Sequence, residues 1–225
     1  MKYVLKFLWR RHIMNKGKNS PYSAAITGCG FQMKEFISIL PLLESSEAAK
    51  LLREEVKNNN LLQVNSQTSR DRFVSEFKKR FAAVPRAFWN QFLELSENGK
   101  KAAYFYAILK TYKLLFDFHF NVTIKNWDSI DRVVSPNDIF MNFSEISAND
   151  EFVDSWSELT KNKCVSQYLT ILRQVGLISG DMNELSPLRL EPEDCKYYIN
   201  SGEEWFLEAC LLYPYEIADI KSKLK

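Results

Sequence analysis

The stretch SWSELTKNKCVSQYLTILRQVGLISGDMNELSPLRL, Ser155 to Leu190, constrains the fold more than any other part of the chain. A short amphipathic segment, Phe152 to Leu159, runs into Thr160, whose hydroxyl can cap a new helix. The spacing predicts that this helix continues to Val175 and stops at Gly176, a residue suited to the left-handed turn that ends helices. Beyond it the apolar pair Leu177-Ile178 and its counterpart Leu188-Arg189-Leu190, separated by a polar loop, read as two short strands. Helix, turn, helix and hairpin is the order of a winged helix-turn-helix.

Angular position sharpens the second helix. At about 100° per residue, Cys164, Val165, Tyr168, Leu169, Ile171, Leu172 and Val175 gather on one side. The other side holds Asn162, Lys163, Ser166, Gln167, Thr170, Arg173 and Gln174, with no acid among them. Donors and acceptors of that length reach phosphates and base edges, so Lys163, Ser166, Gln167, Thr170 and Arg173 are the expected DNA contacts. The competing reading is an ordinary solvated helix face, or one that meets protein.

A second basic helix is expected within NLLQVNSQTSRDRFVSEFKKRF. Thr68 and Asp71 have the spacing of a capping box, and Phe73, Phe77 and Phe81 then stack at i, i+4 and i+8. Opposite that row lie Arg72, Ser75 and Lys79, flanked by Lys78; between Ser66 and Arg86 six basic residues face two acids. Arg72, Lys78 and Lys79 are therefore candidate phosphate contacts, against the alternative of a solvated face. Arg70 and Arg80 fall close to the phenylalanine row, where an arginine snorkels or pairs structurally.

The remaining chain is predicted mainly α. Only seven Gly and seven Pro in 225 residues argue against a loop-rich fold, and 46% apolar content is enough to bury real cores. Lys100 to Phe116 reads as a central helix, after a break at Asn98-Gly99. The segment 116–124 alternates like a strand, yet continuity with the preceding helix favours helix through Phe120. Ser135-Pro136-Asn137-Asp138 is a helix start with Ser at the cap, Pro at N1 and an acid at N3. Three parts are expected: a basic, disordered arm over 1–19 with Met14 as a second candidate start, a helical domain over 20–148, and a winged-helix-like domain with further helices over 149–225.

Charge differs among these parts. The arm has six Lys or Arg and no acid, residues 20–148 have 16 basic and 14 acidic side chains, and residues 149–225 have 8 and 14. An acidic C-terminal part lacks the phosphate neutralisation that drives strong nonspecific nucleic-acid binding, although it can carry a local basic face. Cys29, Cys164, Cys195 and Cys210 lack metal-site spacing and suit buried thiols in a reducing, cytoplasmic compartment. His119 and Asp117, two residues apart, do not share a helix face, so His119 reads as a structural histidine. The apolar run near the N-terminus is too short for a membrane span. With no phosphate loop, serine elbow, zinc-hydrolase or kinase signature, and with adjacent acids such as Glu193-Asp194 reading as helix ends or surfaces, no enzyme and no cofactor are expected.

Several pieces in order resemble the BrxA family of BREX bacteriophage-defence systems: Asn60-Leu61-Leu62-Gln63, then Arg70 through Arg80-Phe81, then Asp117-Phe118 with Val122. Thr160, Lys163 and Leu172-Arg173-Gln174-Val175-Gly176-Leu177 complete the series. The resemblance covers the chain from Tyr22 onward, with Phe81 where the family prefers Leu and Asn59 where it prefers Glu. It implies a helical protein with a likeness to the antitermination factor NusB, double-stranded DNA binding, and work alongside other BREX proteins including a methyltransferase. Protein scaffolding and RNA binding are the alternative roles. The family likeness does not identify contact residues; those rest on the helical angles.

Overall fold

The computed structural model describes residues 20–224, so the expected arm and its second start at Met14 lie outside the described residues. The fold is mainly α, as its composition and periodicity predict. At its centre is α5 (Glu97–Thr111), in which every residue from Ala102 to Leu109 is at most 1% exposed. A helix apolar on all sides must be enclosed by other elements. Here α3 (Gln67–Ala82), α6 (Lys113–Phe118) and α10 (Glu158–Val175) pack around it. Asn98-Gly99 does not precede this helix but forms its first turn after the Ser96 cap. The close fit explains the glycine: a Cβ at Gly99 would stand 2.1 Å from Oδ1 of buried Asp194.

Before this centre come a 3-10 turn, Ala25–Gly28, then α1 (Met33–Glu44) and α2 (Ala48–Asn58). Pro41 lies within α1, one turn before its end. The helix α3 begins two residues earlier than the Thr68 box predicts: Ser66 is the cap and accepts from the Ser69 amide. Short α4 (Arg86–Trp89) then leads toward α5. Tyr112, in extended conformation, separates α5 from α6, so the long helix expected to Phe116 is two helices. From α6 the chain remains helical through a π-turn at His119–Thr123 into α7 (Ile124–Trp127), bearing out helix over strand for this segment.

The capping box at Ser135 is present with Pro136 and Asp138 in the expected places, and it starts α8 (Pro136–Asn149). After α9 (Glu151–Asp154), α10 begins at Ser157, whose side chain accepts from the Thr160 amide; Thr160 itself is inside the helix. Gly176 ends α10 at φ 100°, and Leu172 O accepts from both Gly176 N and Leu177 N. The strands are β1 (Ile178–Ser179) and β2 (Glu184–Leu185), paired antiparallel. Leu188–Leu190 is not the second strand, because the Leu188 amide instead donates to Cys210 O. Val133, just before α8, bridges Glu184 on the other side of β2. Helices α11 (Pro192–Asn200), α12 (Trp205–Ala209) and α13 (Pro214–Lys223) close the fold.

Buried polar bonds cross residue 148. In α12 the Ala209 carbonyl accepts from His119 Nε2 at 2.8 Å, and His119 Nδ1 lies 2.9 Å from the Tyr168 hydroxyl of α10. Because a carbonyl can only accept, Nε2 carries the proton and Nδ1 accepts from Tyr168. The Tyr168 oxygen then receives the Thr123 hydroxyl at 2.6 Å. The four cysteines are free and buried, and burial pushes the Cys29 thiol up to about 11 and those of Cys164 and Cys195 up to about 12.

Candidate nucleic-acid interface

The α10 helix divides as its angles predict. Cys164, Val165, Tyr168, Ile171, Leu172 and Val175 are buried, while Lys163, Ser166, Thr170 and Arg173 are exposed. Gln167 is half-buried. Its Oε1 sits so close to Gly30 that a Cβ there would lie 2.9 Å away, so this residue belongs to the edge of the polar face. Thr170 donates its hydroxyl back to Ser166 O at 2.9 Å. Arg173 reaches across to the hairpin and donates to Asn183 Oδ1 at 2.6 Å, while Asn183 Nδ2 donates to Val134 O at 3.1 Å. The hairpin bears exposed Asp181 in its turn and Glu184 at the start of β2, so its own side chains repel phosphate and the cationic contribution here is Arg173.

The predicted residues of α3 separate into two groups. Arg72 and Lys78 are exposed. Lys79 is half-buried and its ammonium contacts Glu76 Oε1 at 2.5 Å, where the Glu76 side chain is 5% exposed. That proximity commits much of the Lys79 charge to neutralising an internal carboxylate.

Both predicted halves meet the same short turn. The Ala25–Gly28 turn packs against α3 and against α10. A Cβ at Gly28 would lie 2.5 Å from Arg72 Cδ, just as one at Gly30 would strike Gln167. Two glycines thus let an arginine of α3 and a glutamine of α10 rest on opposite ends of one piece of backbone. Sequence angles assigned faces to each helix but could not reveal this juxtaposition, since it depends on a tertiary contact; the spacing of Gly28 and Gly30 was its one visible trace.

What holds the turn is Arg80, which is fully buried. Its guanidinium donates to Gly30 O at 2.6 Å, to Phe31 O at 2.8 Å, and to the hydroxyls of Tyr104 and Tyr112 at 2.6 and 3.1 Å. Tyr112 in turn donates to Glu76 Oε2 at 2.8 Å, so the cation and the carboxylate share a tyrosine between them. Arg70 is likewise internal, donating to the carbonyls of Val56, Val64 and Asn65. Both arginines take the structural role that their positions beside the phenylalanine row predict. His119 sits as a structural histidine: both ring nitrogens have partners, and burial holds its pKa down to about 4.

A central apolar helix, an outward polar face on α10 and a hairpin immediately after it define a mainly helical protein. The family model for BrxA matches residues 20–201, and the chain belongs to the BrxA family, a BREX-associated group. The fold is also that of a solved structure described as an uncharacterized protein from Magnetospirillum magneticum. The two share 22% identity with a TM-score of 0.70, over 85% of this chain and 98% of that one. No curated protein matches the chain. No helix among the described residues is long and apolar enough to cross a membrane.

Proposed function

We propose that this chain is a non-enzymatic, double-stranded DNA-binding component of a BREX system that works with other BREX proteins, including the methyltransferase. The observation carrying this reading is the acid-free exposed face of α10, with Arg72 reached across the Ala25–Gly28 turn from its Gln167 edge. The element order supports it: α8 and the one-turn α9, where the first helix of the motif is expected over Phe152 to Leu159, precede α10, the β1–β2 hairpin follows, and Val133 bridges β2. In that reading α10 lies in or along a groove, Lys163 and Arg173 meet phosphate, and Ser166 and Thr170 face base edges. Arg72 and Lys78 extend the backbone contact, and the hairpin orients Arg173.

Measuring binding of the protein to a labelled duplex across a salt series tests the assignment. Lys163→Glu combined with Arg173→Glu is expected to abolish binding while circular dichroism stays unchanged; undiminished affinity in the folded double variant removes α10 as the contact. Asn183→Ala, which frees Arg173 from the hairpin without altering its charge, separates tethering from charge. Competition with structured RNA distinguishes duplex DNA from the RNA reading, which requires RNA to displace DNA efficiently.

A further inference from the structure

A second surface has the opposite electrical character. Between α8 and the first turns of α10 lies a groove of about 300 Å³. Phe140, Phe143 and Ala148 give it apolar walls; Ser147 also lines it, and its hydroxyl is buried without a hydrogen-bond partner among the described residues. Asp154 and Glu158 line one side. The single lining cation, Lys161, is largely covered and lies 3.6 Å from Glu158. From Glu145 to Glu158 the chain holds five acids and no Lys or Arg.

This site is distinct from the α10 polar face. Glu158 and Lys161 project about 130° around the helix from the centre of the Lys163–Arg173 face. Carboxylates at the rim repel nucleic acid, whereas the apolar walls favour hydrophobic side chains. We propose that the groove docks a cationic amphipathic segment of a partner protein, with apolar side chains seated against Phe140 and Phe143 and Lys or Arg paired with Asp154 and Glu158. Helix-in-groove docking combines these two requirements, apolar anchors along one stripe and complementary charge beside it. The inference stands independently of the DNA reading.

The probe is a labelled amphipathic helical peptide of Leu and Lys with one Trp, titrated into the full chain by fluorescence anisotropy. Saturable binding is expected, weakened at least about tenfold by Ala148→Arg, which fills and charges the groove, and by Asp154→Lys with Glu158→Lys. A matched Leu and Glu peptide is expected not to bind, and Lys163→Glu with Arg173→Glu is expected to leave peptide affinity unchanged. Absence of binding, or equal affinity for wild type and Ala148→Arg, overturns the proposal. So does displacement of the peptide by duplex DNA. Binding that emerges only after Arg10 and Arg11 are changed to Glu assigns the groove to the chain's own leading segment and likewise overturns it.

Discussion

At the scale of single residues, His119 shows how burial converts a titratable group into a pH limit on stability. Its neutral ring is fixed by donation to Ala209 O and acceptance from Tyr168, and desolvation lowers its pKa from 6.5 to about 4. The folded state therefore binds fewer protons than the unfolded chain between those values. The stabilisation is complete above pH 6.5 and is lost as pH falls toward 4; between pH 7 and pH 5 the loss is about 2 kcal/mol. Urea unfolding at the two values is expected to show that difference, with the His119 imidazole signal still neutral at pH 5; an imidazole titrating near 6.5 sinks this account. The structural role was legible, because Asp117 is out of helical register with His119. The partners were not, since Tyr168 and Ala209 are 49 and 90 residues away and no local spacing encodes such contacts. Arg80 repeats the pattern: its angle beside Phe77 predicted internal use, but the carbonyls of Gly30 and Phe31 that it holds belong to a distant turn.

At the scale of elements, a local rule fixes a boundary where one residue satisfies it and leaves the boundary open where two do. Ser135 caps α8 because proline and an acid follow at fixed offsets, whereas Ser157 and Thr160 both offer a hydroxyl, and the earlier residue takes the extended cap conformation. The Leu-Arg-Leu pattern at 188–190 looked like a strand, yet its first amide is drawn to Cys210 O and β2 forms at Glu184–Leu185 instead. Gly176 was read correctly because its stop requires positive φ, observed at 100°. A Cβ there would meet Leu188 Cδ2 at an unstrained 3.7 Å, so Gly176→Ala tests backbone conformation with little steric confusion. The variant is expected to lose about 1–2 kcal/mol in denaturant unfolding while retaining the fold. A neutral or stabilising result would show that the helix stop does not depend on the left-handed turn.

At the scale of the whole molecule, a net charge of +2 conceals two faces that call for different partners. The acidic groove beside α8 disfavours nucleic acid, and the proposed duplex contact lies instead on the side where α10 and α3 meet the Ala25–Gly28 turn. Within that side the charges are unequal. Arg72 and Lys78 are exposed, while Lys79 neutralises buried Glu76. Each phosphate contact contributes about 0.9 to the slope of log affinity against log salt on duplex DNA. Replacing Arg72 and Lys78 with Ala is therefore expected to reduce that slope by about 1.8 if both contact phosphate. Lys79→Ala is expected to leave the slope nearly unchanged but to destabilise the protein, because Glu76 loses its ammonium partner while remaining buried. The two readouts separate surface charge used for binding from charge used inside the fold. An unchanged slope for Arg72→Ala with Lys78→Ala would return α3 to an ordinary solvated face, and a large slope change from Lys79→Ala would mean that its ion pair opens on contact with DNA.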